Sequence, residues 1–218
     1  MENKKKQHII LAVPYYSQHL DVKDPFWRSR SCGIMALAMA MDFLSKSDFN
    51  RSPIEVGLRF RLLIREGVAM GAYHDNWHFI HDADLIKKIS IDGKGWIHDG
   101  LVKLAKRHGF KHSFRREFNV KTRFLDNVAV RPISNIVVLL RRGIPVLVSF
   151  KKGRGGHLVL LVGFRYLDVG RPSGLTLSVV RFYYHDPDAR SHRSGAFRFI
   201  STAQFLKRWK GKIVVVQK

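Results

Sequence analysis

The 218 residues include 39 Lys and Arg against 17 Asp and Glu, a formal net charge of +22, while 45% of the chain is hydrophobic and 15 residues are phenylalanine. Such an apolar share excludes a disordered chain, and a globule of this length buries roughly 70% of the surface that its unfolded form exposes. One cysteine excludes an internal disulfide, no apolar run approaches the roughly 18 residues of a spanning helix, and the charge fits either a solvated basic surface or an anionic partner or environment such as nucleic acid, anionic lipid, a wall polymer or an acidic substrate.

In chain order, a lysine cluster at Lys4-Lys5-Lys6 precedes the apolar stretch Ile9 to Val13, which is shorter than the roughly 7 to 15 apolar residues of a secretion signal. It reads as an opening strand, and the cytoplasm is the expected compartment. Cys32 to Lys46 reads as a helix with apolar residues on nearly every face, as in a central buried helix. Ser52-Pro53-Ile54-Glu55 has capping-box spacing with proline at the first helical position, and Val56, Phe60, Leu63 and Ile64 recur at helical intervals before Gly67, the expected stop.

Gly67 to Gly95 reads as a connecting region with one helix around Asp84 to Ile89. It gathers His74, Asp75, His78, His81, Asp82 and Asp84, and His74 and His78 would share a helix face. Cysteine ligands are absent there and Gly71 favours a loop, so the cluster reads as a solvated loop or cleft rim; no metal and no cofactor is expected.

Helices follow at Asp99 to Arg107, ending at Gly109, and at Ser134 to Arg142, stopped by Gly143. From Ile144 the period changes to strands: Ile144 to Phe150, His157 to Leu167, Leu175 to Tyr184, Gly195 to Ile200 and Lys212 to Gln217. Gly170-Arg171-Pro172-Ser173-Gly174 marks a hairpin turn, and Ser201 caps a last helix, Phe205 to Trp209, with Trp209 packing it onto the sheet. Helices first and strands afterward make an α+β fold. The basic residues are scattered in pairs, among them Arg115-Arg116, Arg141-Arg142, Lys151-Lys152 and the Lys207-Arg208-Trp209-Lys210-Gly211-Lys212 cluster.

Cys32 opens its helix, where the macrodipole and unpaired backbone N–H groups favour thiolate over thiol. A thiol nucleophile needs a base and a group that orients the base. His157, at a strand start, is the candidate base, and Asp186, in His185-Asp186-Pro187, the candidate orienter; Asp188 is a weaker rival, and alternation turns His185 to the opposite face. Gln18, upstream of the cysteine, is a candidate side-chain donor to an oxyanion, alongside the backbone N–H of Cys32.

Val13-Pro14-Tyr15-Tyr16-Ser17-Gln18, Cys32-Gly33 opening an apolar helix, Gly95-Trp96-Ile97-His98-Asp99-Gly100-Leu101, Leu140 to Pro145, Gly156-His157 before Val159 to Gly163, and His185-Asp186-Pro187 together resemble the papain-like cysteine peptidases, in particular the bacterial branch related to double-glycine-leader, bacteriocin-processing peptidases. The chain departs from that branch in a longer stretch between Gln18 and Cys32 and in Ile34, where relatives often carry proline. The resemblance implies a single papain-like domain over residues 1–218, with a mainly helical lobe at 1–143, its central helix starting at the cysteine, and a mainly antiparallel β lobe at 144–218. It also implies amide hydrolysis of a peptide or protein substrate through a thioester on Cys32, with His157, Asp186 and Gln18 in the roles above. The alternatives are an acyltransferase using the same three groups and a catalytically idle module that binds an anionic partner.

Overall fold

The computed structural model describes residues 6–46, 53–74, 95–119, 130–153, 155–168 and 177–218. The longest strand, β6 (Gly155–Asp168), organises the rest. Its first half pairs with β5 (Val146–Lys152), from Lys152 opposite Gly155 to Val146 opposite Leu161. Where β5 ends, β1 (Lys6–Ile10) takes over the same edge, with Ile10 opposite Gly163. On the other side lie β7 (Leu177–His185) and then β8 (Arg198–Ser201). Beyond β5, β9 (Trp209–Val215) and β4 (Phe114–Glu117) complete a seven-stranded antiparallel sheet. A second, two-stranded sheet joins β2 (Tyr73–His74) to β3 (Gly95–Trp96).

Strand alternation divides the apolar residues between two cores. Leu147, Leu158, Leu160, Val162 and Val214 face α2 (Cys32–Ser45), α3 (Pro53–Ala69) and α4 (His98–Arg107). Val146, Val148, Val159, Leu161 and Val215 face the opposite layer, where α5 (Val130–Arg141) contributes Ile136 and Leu140, and α7 (Thr202–Arg208) contributes Phe205. Every residue of α2 from Gly33 to Asp42 is buried. Each fully buried Ile, Leu or Met side chain contributes about 1.5–3 kcal/mol, so α2 is held chiefly by packing and not by helix propensity. Its one buried charge, Asp42, is paired with Arg59 and accepts from Tyr16 Oη at 2.9 Å.

Several boundaries differ from those expected, each for a packing reason. Gly67 lies inside α3, since a Cβ there would come 2.6 Å from Trp96 Cζ3; the glycine admits the indole and does not stop the helix. The opening strand is Lys6–Ile10 and not Ile9 to Val13: Leu11 N–H makes a last bond to Val162 O at 2.7 Å, and Val13 N–H then turns back to Leu11 O at 2.8 Å. α5 starts at Val130, which leaves Pro132 in the first turn, where its missing N–H removes no intrahelical bond. Gly195 belongs to α6 (His192–Gly195), and the strand after it starts at Arg198. Ser201 Oγ accepts from Gln204 N–H as the capping pattern requires, but Trp209 follows the helix and begins β9, fully buried and stacked on Phe205 at 5.2 Å. Strands β1 and β4 come from the mainly helical half and are needed to finish the sheet. The expected helix around Asp84 to Ile89 and the Gly170 to Gly174 turn lie outside the described residues. Among those residues, no helix is long and apolar enough to cross a membrane.

A Cβ on Gly163 would lie 2.2 Å from the carbonyl oxygen of Ile9, so only glycine lets β1 approach β6 this closely. Gly163→Val is expected to cost about 1–3 kcal/mol by overpacking. Thermal melting checks this, at about 2–4 °C for each kcal/mol.

Candidate active site

The loop before α2 is fixed at both ends. Asp24 caps the short α1 (Pro25–Arg28), its Oδ1 accepting from Phe26 N–H at 2.8 Å, so the long stretch between Gln18 and Cys32 is folded into a helical turn. Ser31 Oγ donates to Trp27 O at 2.7 Å, and Trp96 Nε1–H donates to Arg30 O at 2.7 Å. The Trp96 ring packs against Tyr73, with centroids 5.1 Å apart, and rests on Gly33, where a Cβ would come 2.8 Å from Trp96 Cβ. Cys32 is thereby the first residue of α2, half-buried, with its sulfur accepting backbone N–H groups of Gly33 and Leu158.

His157 stands on β6 opposite Phe150 and is 5% exposed. Its Nε2–H donates to Asp186 Oδ1 at 2.6 Å, leaving Nδ1 as the ring nitrogen for its hydrogen bond with Cys32. Asp186 Oδ1 also accepts Asp188 N–H at 3.2 Å, and Oδ2 accepts Arg198 Nη1–H at 3.0 Å. The structure therefore brings Cys32, His157 and Asp186 together.

The loop carrying Asp186 is tied to the N-terminal segment at successive points. Tyr15 Oη–H donates to Asp186 O at 2.8 Å, Gln18 N–H to Pro187 O at 2.8 Å, and Ser17 Oγ–H to Ala189 O at 2.7 Å. Gln18 is 2% exposed; its Nε2–H donates to Asp188, and its Oε1 is buried with no partner among the described residues. The Asp188 carboxylate also meets His19 Nε2 at 3.0 Å and is paired with Lys152, so that side chain anchors Gln18, and it makes no hydrogen bond to His157 among the described residues. His185 turns away from the thiol, with Nε2–H on Val13 O at 3.0 Å and Nδ1 accepting from Phe197 N–H at 3.0 Å. Burial pushes its pKa down to about 4, the bond to Val13 opposing, so the ring is neutral.

The electrostatics couple the central pair. Burial by itself raises the Cys32 thiol, but the hydrogen bond and positive charge of His157, with the Leu158 and Gly33 N–H groups, outweigh it and hold the thiol below its ordinary value of 9.0. Burial by itself lowers His157; hydrogen bonds to Asp186 and Cys32, with the charges of both, outweigh it and push the imidazole up to about 9. Burial likewise opposes ionisation of Asp186, while His157, the Asp188 N–H and Arg198 keep its carboxyl below the usual range. These directions favour the thiolate–imidazolium form of the pair over thiol and neutral imidazole, the two titrating together. Such a sulfur can attack an electrophilic carbon, and the imidazolium can return a proton.

Sequence reasoning missed Arg198, Tyr15, Asp188 as the anchor of Gln18, and Trp96 as the clamp on the Cys32 loop. Only the spacing of Asp186 and Asp188 hinted at any of these contacts. His74 ends β2, while Asp75, His78, His81, Asp82 and Asp84 lie outside the described residues. Among the described residues, no three His, Cys, Asp or Glu side chains form a metal-binding group.

Residues 10–212 match the model of the Peptidase_C39 like family. A C39-like peptidase from Bacillus anthracis is similar in structure at 14% identity and a TM-score of 0.56, over 97% of this chain and 98% of that one. The peptidase domain of Streptococcus ComA, a bifunctional ABC transporter involved in a quorum-sensing pathway, matches at 14% identity and a TM-score of 0.40, over 87% of this chain and 93% of that domain. No curated protein matches.

The lowered thiol predicts fast alkylation of Cys32 by iodoacetamide near pH 6, where an ordinary thiol is almost wholly protonated. Removing the imidazolium by His157→Ala leaves burial opposed only by the Leu158 and Gly33 N–H groups, so the thiol rises and the reaction at pH 6 slows. Intact mass against time over pH 5 to 9 reads this.

Proposed function

The chain belongs to the Peptidase_C39-like family, and from that premise we propose that it is a cysteine peptidase whose nucleophile is Cys32, whose base is His157 and whose orienting acid is Asp186. The observation that carries the reading is the continuous hydrogen-bonded series from Cys32 at a helix N-terminus, through the buried imidazole, to a carboxylate that Arg198 also holds. A peptide or protein substrate fits this chemistry. We take residues 1–218 to work as one papain-like domain, since α2 of the first half packs on β6 of the second.

In the reaction, the Cys32 thiolate adds to the scissile carbonyl carbon, and the carbonyl π electrons move onto oxygen. The backbone N–H of Cys32 and the second N–H of the Gln18 amide donate to that oxyanion. The first Gln18 N–H is held by Asp188, which fixes the amide before substrate arrives. As the tetrahedral centre collapses, the C–N bond breaks and His157 gives its proton to the leaving amine, which leaves a thioester on Sγ. Neutral His157 then takes a proton from water, hydroxide adds to the thioester carbon, and loss of the thiolate releases the acid and restores the imidazolium. Asp186 holds the ring in the tautomer that presents Nδ1 to sulfur, and its negative charge stabilises the imidazolium without itself taking the proton.

A peptide library supplies a cleaved substrate and mass spectrometry detects the acyl-enzyme. Cys32→Ala is expected to lose both cleavage and adduct; full cleavage by that variant sinks the reading. Gln18→Ala is expected to lower kcat by about 10²- to 10³-fold, with little change in KM, since the donor acts on charge that develops only in the transition state. The pH profile is bell-shaped. Its acid limb rises as the pair loses the thiol proton, below the ordinary 9.0, and its alkaline limb falls through about 9 as His157 loses the proton that the leaving amine needs.

A further inference from the structure

We propose that the end of the sheet beside His157 is an anion subsite that draws acidic segments of a polypeptide substrate into the cleft, with Lys151 and Lys210 as its cations. The inference rests on the reading of Cys32 and His157 as the reacting groups. Lys151 lies opposite Gly156, the residue before His157, in the β5–β6 hairpin. Alternation turns its side chain to the α2 side, with Leu147, since Phe150 belongs to the opposite core. Lys210 follows the buried Trp209 and turns the same way: a Cβ built on Gly156 would lie 3.7 Å from Lys210 Nζ and 3.8 Å from Phe150 O.

This is the side from which Cys32 approaches β6. Leu158, two residues from Gly156 on the same face, gives its N–H to the thiol, and its Cδ1 would lie 3.0 Å from a Cβ on Gly33. Lys210 Nζ and Cys32 thus flank positions two residues apart on one strand, roughly 7 Å of extended chain. The bare backbone at Gly156 leaves the space between them open.

Neighbouring cations are already balanced. Lys152 pairs with Asp188, Arg198 with Asp186, and Lys212 and Arg115 with Glu117. Lys151 and Lys210 are exposed and have no carboxylate partner among the described residues. Arg208 lies over the Phe150 ring at 4.7 Å, on the opposite face of the sheet, and is not part of the subsite. Uncompensated charge of one sign at a cleft concentrates ligands of the other sign, an effect that salt removes.

Two probes, chloroacetyl-Gly-Asp-Asp-amide and its Asn-Asn counterpart, differ only in charge. In both, the Cys32 thiolate forms an S–C bond as chloride departs with the C–Cl electron pair, so no substrate need be known. At low salt, wild-type protein is expected to react about tenfold faster with the acidic probe, and about 0.5 M NaCl removes the advantage. Lys151→Glu with Lys210→Glu is expected to abolish the advantage while the iodoacetamide rate stays unchanged. Equal probe rates in wild type, or an advantage that survives the double reversal, overturn the subsite. So does salt-sensitive binding of a single-stranded oligonucleotide that the double variant loses while the two probes react alike, since the lysines then serve nucleic acid. Slow iodoacetamide reaction in wild type overturns the thiolate reading and the subsite with it; fast reaction with equal probe rates overturns the subsite alone.

Discussion

The burial of α2 against β6 is the constraint on which the rest of the molecule depends. A helix buried from Gly33 to Asp42 can occupy only one depth and one rotation in a close-packed interior, and that placement carries Cys32 to the backbone of Leu158. Small residues make the fit possible. Gly33 admits Trp96 on one side and Leu158 on the other, Gly67 admits the far edge of the same indole, and Gly100 lies against Ala72, where a Cβ would come 2.3 Å from the alanine's own. One tryptophan therefore joins α2, α3, β3 and the loop that precedes the cysteine.

A second constraint acts on the other half of the constellation. Asp186 stands on a turn, and turns are mobile unless something holds them. Here the segment from Val13 to His19 lies along that turn and bonds to His185, Asp186, Pro187, Asp188 and Ala189. Buried polar groups that are satisfied in this way specify a single arrangement, because leaving any of them unpaired costs about 1–3 kcal/mol. The segment places Gln18 in the same act, so the Asp186 carboxylate and the Gln18 amide are held by one set of bonds.

Charge is distributed with a comparable division of labour. Near the thiol, Asp186 has His157 and Arg198 and Asp188 has Lys152. Among the described residues, the remaining positive charge is largely solvent-exposed, where it stabilises little. A chain with a net charge of +22 can hold a thiolate in a cleft and still present cations around it.

The papain-like likeness and the candidate series Cys32, His157 and Asp186, which the fold brings together, were legible in the residues, because a lone cysteine opening an apolar helix, a histidine opening a strand and an aspartate before proline are local patterns. The start of α2, the extent of α4 and the Ser201 cap were legible for the same reason: spacing and capping act within one or two turns. The role of Gly67 was not legible, because a glycine that ends a helix and one that admits a distant tryptophan look alike in one dimension. Arg198 was equally hidden, since it reaches Asp186 only after α6 turns the chain back, and Gln18 gave no sign that Asp188 would hold it. The sequence by itself thus determined which side chains carry nucleophilic or titratable chemistry and which segments bury themselves, since those follow from residue chemistry and short-range periodicity. Tertiary structure alone decided their distances, protonation and support, since these arise from contacts between segments far apart in the chain.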